Sequence, residues 1–477
     1  MDNKSVQCCI IGSGPAGLAT GLELIKNGIN DIIIIDKNNI VGGLARTVLF
    51  NETRFDIGPH RFFTKNREVN KLWHDTLGKD FIEVNRLTRI MYNKKLFNYP
   101  ISAFDALSKL GLSNSTHALL SYLNTFLKSK NNITTFEDWI SANFGKKLYE
   151  TFFKTYTEKV WGIPCNEIGK EFAEQRIKGL NILEVIKNTF YRSNRPKTLI
   201  DKFNYPILGA GQMYEAWADK ITSSGGNIIL GSEVVNINQK DDLIESIEII
   251  SKDKKKLKVN ASQFFSSIPI THFFKLLNPQ LKKRISIANS NLYYREHITV
   301  NLVISQTGIF PDQWMYIHEP SVKMARIANY NNFSERMIPN KRTTAISVEY
   351  FTFQNDKIWS MKNDDLVNLA INELVDTKII DKLSIIEGSV VRETESYPTY
   401  YLGYKEHYNI LKDEINKFKN LFTIGRGGMY KYNNQDHSTY SGLLAARNYL
   451  KIGKTKYNLW NINTEAEYHE SYNNKTD

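Results

Sequence analysis

The stretch from Gln7 to Asp36 limits what this chain can fold into more than any other. Gln7-Cys8-Cys9-Ile10-Ile11 is an apolar run of strand type that passes straight into Gly12-Ser13-Gly14-Pro15-Ala16-Gly17. Leu18 to Ile25 then carries apolar residues at helical spacing, and a second strand, Ile32-Ile33-Ile34-Ile35, ends on Asp36. The glycines meet the needs of a dinucleotide-binding turn. Gly12 allows the tight turn, Gly14 lets a pyrophosphate approach the backbone, and Gly17 lets helix and strand pack closely. The helix start after Gly14 offers unpaired N–H groups, from Ala16 onward, and the positive end of the helix dipole to the phosphates. Asp36, 19 residues after Gly17, stands where an acid can hold ribose hydroxyls. Strand, turn, helix, second strand and acid fall in register, so the expected fold class is α/β with a Rossmann-type domain at its start.

At 477 residues the chain is too long for one simple core, and two intertwined domains are expected. No apolar run approaches the ~18 residues of a membrane span, and a strand beginning by about residue 6 leaves no room for a signal peptide. The net charge of +12 is spread through turns such as Lys252-Asp253-Lys254-Lys255-Lys256, without a basic stripe interleaved with aromatics. That pattern favours anionic small molecules over nucleic acid as partners. Three cysteines in no ligand spacing exclude a disulfide framework and give no metal site, and Cys8 and Cys9 read as core. A reducing, cytoplasmic compartment is expected.

Downstream, Arg54-Phe55-Asp56-Ile57-Gly58-Pro59-His60 reads as a strand running into a constrained loop that carries an imidazole. Residues 65–79 read as an amphipathic helix with Val69, Leu72, Trp73 and Leu77 on one face, and 102–192 as a helical block that includes a capped helix start at Thr134-Thr135. Period-two apolar stretches between 293 and 354 predict a second sheet. The expected nucleotide-binding domain comprises 1–91, 203–292 and 416–455. The substrate domain comprises a helical part, 92–202, and a sheet, 293–415, and a polar tail covers 456–477.

Several of these stretches carry a resemblance. Val41-Gly42-Gly43-Leu44-Ala45-Arg46 follows Asp36 as a GGxxR segment familiar in flavoproteins of the amine-oxidase type, which points to FAD rather than NAD. With Tyr205 to Ile237 and the closing Gly425-Arg426, it resembles the FAD-dependent amine oxidase and protoporphyrinogen oxidase superfamily. Gly58-Pro59-His60-Arg61-Phe62, the Lys159-Val160-Trp161 run and Tyr432-Asn433-Asn434-Gln435-Asp436-His437-Ser438 look closer to UDP-galactopyranose mutase. The resemblance implies a GR2-like flavoprotein, its FAD-binding domain intertwined with a substrate domain of mixed β-sheet and helices. It departs at the C-terminal signature, which is two residues shorter than the eukaryotic pattern between Tyr432 and Asn434. Pro59 follows the bacterial form of its loop.

In that family the reduced flavin is the nucleophile and the protein positions the sugar and holds the diphosphate. The resemblance implies catalytic roles for His60, Arg176 and Arg326, and a substrate site of Trp161, Arg176, Tyr316, Arg326, Asn329, Tyr397 and Tyr432. FAD contacts are implied for Gly12, Gly14, Pro15, Ala16, Gly17, Asp36, Gly43, Leu44, Arg46, Gly58, Pro59, His60, Val234, Gly425, Arg426, Asn434 and Gln435. Arginine suits the diphosphate because its fork bonds phosphate oxygens bidentately. The implied partner is a UDP-sugar or related small molecule, with NAD(P)H a candidate reductant and the oligomeric state open. Two other readings stand beside it: an oxidoreductase taking hydride from an amine, porphyrinogen or polyene, and a non-catalytic FAD-binding interaction protein.

Overall fold

The fingerprint folds as its residue types require. Asp2–Ile11 is a strand, Gly12 turns the chain at φ +102°, and helix Pro15–Lys26 begins directly after an extended Gly14. Ile32–Ile35 then pairs parallel with Asp2–Ile11. A Cβ on Gly17 would stand 1.9 Å from the Gly12 carbonyl oxygen, so only glycine lets the helix lie this close to the turn. The computed structural model describes residues 2–101, 103–126, 132–177, 202–279, 282–380, 385–453 and 455–462.

The first sheet runs in the order Leu277–Asn278, Ser232–Lys240, Leu243–Ser251, Lys256–Ser266, Asp2–Ile11, Ile32–Ile35 and Asn227–Ile229. Leu243–Ser251 pairs with Lys256–Ser266 only up to Asn260, and Leu421–Thr423 takes over that edge at Phe264–Ser266. Alternation gives this sheet two buried faces. Cys8, Ile10, Ile32 and Ile34 pack with helices Pro15–Lys26, Gly211–Ser223 and Gln435–Leu450, while Cys9, Ile11, Ile33 and Ile35 pack on the other side. Cys8, Cys9 and Cys165 are all buried free thiols.

The second sheet runs Ile385–Pro398, Tyr294–Ile304, Thr344–Thr352, Arg326–Asn329, Trp314–Ile317, Thr88–Tyr92 and Lys95–Asn98. Ile298, Val300, Leu302, Ile346, Val348 and Tyr350 bury one face with Leu366, Ala370 and Leu374 of helix Asn363–Asp376. The opposite face carries His297, Arg326 and Glu349. Within the helical block, helix Phe136–Phe144 is capped at Thr135, where a capped start was expected. Thr135 Oγ1 accepts the Asp138 N–H at 3.0 Å, and the Asp138 carboxylate accepts the Thr135 N–H at 3.1 Å.

Chain pairing places the domain divisions differently from the sequence reading. Thr88–Tyr92 straddles the expected boundary after residue 91 and joins the second sheet, parallel to Trp314–Ile317. Phe81–Asn85 leaves the nucleotide-binding sheet to form a ribbon with Lys202–Pro206. Helix Tyr404–Ile415, assigned above to the substrate sheet, puts Leu411 and Ile415 into the core beneath the first sheet. Segment composition alone could not show these exchanges, because each depends on which distant strand supplies the partner.

Candidate active site

The two glycine loops meet at one end of a cavity of about 700 Å³ lined by parts of both sheets and the helical block. Gly12, Gly14, Pro15 and Ala16 line it from the turn, Gly43 and Leu44 from the next loop, and Val234 from strand Ser232–Lys240. A Cβ on Gly14 would meet only the Gly43 Cα, at 3.8 Å. The protein therefore imposes no glycine there, and the open space above the helix start fits a pyrophosphate drawn close to the backbone.

Asp36 lines the cavity but is already engaged. Its Oδ2 accepts from the Ser13 N–H and hydroxyl, both at 2.7 Å, and its Oδ1 accepts from the Asn38 N–H at 2.8 Å. It ties the turn to the second strand, a task not read from the sequence. Arg46, expected at the phosphates, is not in the wall. Its Nη1 donates to the Gly43 carbonyl at 2.8 Å and its Nη2 pairs with Glu393, which does line the cavity. A buried carboxylate needed a cation, and Arg46 supplies it.

Gly58, Pro59 and His60 form the next stretch of wall. A Cβ on Gly58, at φ +82°, would stand 3.1 Å from Glu349 Oε2 and 3.2 Å from Arg326 Nη2, so the loop rests on that ion pair. His60 Nε2 lies 2.9 Å from the Leu44 carbonyl and 3.0 Å from that of Ile57. Both partners only accept, so Nε2 carries the proton. Burial, with the charges of Arg426 and Arg326 adding to it, pushes the imidazole down to about 4, against the raising effect of the two carbonyls.

The folded value lies below the ordinary 6.5, so this contribution to stability is fully present above about pH 6.5. It is lost as pH falls through about 4, and amounts to at most about 3 kcal/mol. His60→Gln, which keeps a side-chain N–H for the carbonyls, should flatten that part of the stability–pH curve. Urea unfolding at a series of pH values checks it; parallel curves for variant and wild type would contradict it.

Arg326 and Glu349 face each other across neighbouring strands. Arg326 Nε donates to Glu349 Oε1 at 2.6 Å and Nη2 to Oε2, which also receives His297 Nε2 at 2.7 Å. Burial pushes the Glu349 carboxyl up, but the Arg326 charge and the hydrogen bonds from His297 and Arg326 outweigh it and hold it at about 2. Burial alone would lower Arg326, yet the adjoining carboxylate raises it well above its usual range. With Nε and Nη2 committed, Nη1 is the nitrogen left for a ligand.

Aromatic rings build the rest of the wall. Tyr397 and Tyr432 stack at 5.3 Å, Arg426 lies 4.9 and 4.8 Å from their ring centres, and Trp161 meets Tyr432 edge-on at 5.8 Å. Arg426 also donates to the carbonyls of Asn433, at 3.0 and 2.8 Å, and Ser396, at 3.2 Å. Asn434 and Gln435 open the last long helix onto the cavity. Gln435 donates to the Arg61 carbonyl at 2.9 Å and accepts the Tyr214 hydroxyl at 2.7 Å. Gly425 turns here at φ +71°, with Ala16 Cβ 3.0 Å from where its own would be. At the far end Tyr316 meets Tyr99 at 4.9 Å and Tyr156 at 5.3 Å, and Tyr156 stacks on His318 at 4.7 Å.

Most of the expected residues thus converge on one space, with exceptions. Asn329 does not reach it. It lies three positions along a strand from Arg326, which puts it on the opposite face, where its Nδ2 donates to the Phe310 carbonyl at 3.0 Å. Gly17 packs against the turn rather than the cavity. Arg176 sits on helix Lys170–Ile177, and its side chain lies outside the described residues. His297, Glu349, Tyr156 and His318 were not anticipated. The available signal was a carboxylate in an otherwise uncharged strand, Ile346-Ser347-Val348-Glu349-Tyr350, which cannot be buried unpaired.

Comparison with known proteins agrees with this architecture. A family model described as an NAD(P)-binding Rossmann-like domain matches residues 10–76. A probable UDP-galactopyranose mutase of Klebsiella pneumoniae is 30% identical over 232 residues, which cover 46% of this chain and 54% of that protein. The dTDP-fucopyranose mutase of Escherichia coli is 29% identical over 166 residues, 33% of this chain and 42% of that protein. The chain spans about half the length of the curated relatives it matches. A crystal structure of reduced UDP-galactopyranose mutase superposes with a TM-score of 0.83 at 18% identity, covering 96% of this chain and 99% of that one. A putative protoporphyrinogen oxidase from Exiguobacterium gives 0.69 at 13% identity, over 93% and 98%. At such identities the likeness concerns the fold. From the glycine turn to the second sheet, the chain carries the fold seen in the solved UDP-galactopyranose mutase and the putative protoporphyrinogen oxidase.

Proposed function

We propose that this chain is an FAD-dependent enzyme acting on a nucleotide sugar, in the manner of a UDP-galactopyranose mutase, in the synthesis of glycan precursors. The observation that carries the reading is one continuous cavity running from the glycine cradle to Arg326 and the aromatic wall. A bound, reduced flavin supplies the nucleophile toward the anomeric carbon. Arg326, its fork fixed by Glu349, presents Nη1 to a diphosphate oxygen. Arg176 is proposed as its second cationic partner. Trp161, Tyr397 and Tyr432 give the sugar flat walls that exclude water, and Tyr316 with Tyr156 borders the space where the nucleoside would lie.

No helix among the described residues is long and apolar enough to cross a membrane, and the buried free thiols favour a reducing compartment. We place the enzyme in the cytoplasm, with NAD(P)H as reductant. The test is a titration of the holoprotein with UDP, oxidised and then dithionite-reduced, followed by flavin absorbance and fluorescence. Saturable binding with conversion of a UDP-hexose by reduced enzyme is expected; no binding in either state excludes the reading. The likeness of fold to a putative protoporphyrinogen oxidase gives the second reading, hydride removal from an amine, porphyrinogen or polyene. Flavin bleaching by such a compound, without UDP binding, would select it.

A further inference from the structure

Adjacent strands of the second sheet bring an ionised carboxylate and an imidazole together at the cavity wall. Glu349 Oε2 lies 2.7 Å from His297 Nε2, and the Arg326 guanidinium holds the same carboxylate from the other side. An ionised carboxylate only accepts, so His297 Nε2 is the donor of this pair, and in the neutral ring the lone pair lies on Nδ1. Among the described residues Nδ1 has no hydrogen-bond partner. The ring lines the cavity. It stacks on Phe351 at 5.1 Å, meets Tyr397 edge-on at 6.3 Å, and sets Cε1 3.6 Å from where a Gly58 Cβ would be. Walls on these sides fix its plane, and Glu349 fixes its tautomer. A base held by a carboxylate on one nitrogen and open on the other is the arrangement general acid–base catalysis needs.

We propose that His297, oriented by Glu349, is the general acid–base that moves the hydroxyl proton when the sugar ring changes size, an inference that rests on the nucleotide-sugar reading above. Interconverting two ring sizes breaks the C–O bond to one ring oxygen and forms one to another hydroxyl oxygen of the same sugar. The departing oxygen keeps its electron pair and gains a proton; the entering oxygen donates an electron pair and loses one. Nothing is oxidised or reduced overall. The imidazole takes up the proton that the entering oxygen loses and delivers one to the departing oxygen, so the transfers cancel over a turnover. Glu349 stays ionised and balances the imidazolium while it exists. Glu349 is thus a positioning residue, and the group that touches the sugar is His297.

The experiment uses the full-length holoprotein, dithionite-reduced, with UDP as the binding probe and a panel of UDP-hexoses that includes UDP-galactopyranose as substrates. His297→Gln can still donate to Glu349 but offers no base. It should keep its flavin, its UDP affinity within about threefold and its KM, while kcat falls by about 10²- to 10⁴-fold. His297→Ala should regain part of its kcat with added imidazole. A His297→Gln enzyme with kcat within threefold of wild type overturns the proposal. Flavin content and UDP affinity falling in step with kcat also overturn it, since the role would then be structural. Wild-type enzyme that converts no UDP-hexose removes the sugar reading and this proposal with it, and shows itself before any variant is made.

Discussion

Arg326→Ala is expected to weaken UDP binding by about 10- to 100-fold, the worth of a charge-assisted hydrogen bond in a water-poor site. It should also destabilise the fold by about 3 to 5 kcal/mol, because Glu349 is left fully buried without its cation. The two effects have different origins and can be separated. Arg326→Ala combined with Glu349→Gln removes the stranded charge, so stability should largely return while UDP affinity does not. Arg326→Lys keeps the charge but not the fork, and should fall between wild type and alanine on both counts. Urea unfolding and a fluorescence titration with UDP read the two quantities independently. Unchanged UDP affinity in Arg326→Ala would remove this residue from the ligand site.

The second large effect lies at the glycine turn, where two glycines three positions apart should fail in different ways. Gly17→Ala forces a methyl to within 1.9 Å of the Gly12 carbonyl oxygen, so strand and helix must separate. Such overpacking costs about 1 to 3 kcal/mol, and the variant should lose both flavin and stability. Gly14→Ala meets no protein atom nearer than 3.8 Å, at an ordinary φ of −75°. Its apoprotein should unfold at nearly the wild-type midpoint, yet the added methyl occupies the approach to the backbone and flavin content should drop severely. Flavin absorbance per mole of protein, set beside a thermal melt of the apoproteins, distinguishes the cases. A fully flavinated Gly14→Ala protein would mean that no phosphate reaches that backbone.

Much of this was legible in the sequence where local pattern and chemistry coincide. The turn at Gly12 to Gly17 and the alternating strands of the second sheet each carry their reason within a few residues. Resemblance supplied Arg326, Arg426 and Tyr432, which the fold brings to one cavity. What escaped depended on sheet register and on competition between partners. Asn329 sat in the right motif on the wrong face of its strand. Arg46 was drawn to Glu393, far along the chain, by the cost of an unpaired buried carboxylate. His297 and Glu349 are 52 positions apart and become a pair only because their strands are neighbours. No spacing rule anticipates such a pair, although a lone glutamate in an otherwise uncharged strand announces that some partner exists.

The edge strand Leu421–Thr423 has a consequence for synthesis. The first sheet is assembled from chain segments at 2–11, 32–35, 227–278 and 421–423, with strands of the second sheet spliced between them. A chain emerging from the ribosome therefore holds its first strand until Lys256–Ser266 arrives, and that strand in turn until Leu421–Thr423 does. Loop closure over such distances slows folding and leaves apolar strand edges open in the interval. Neither sheet can be made as a free-standing fragment by cutting the gene once.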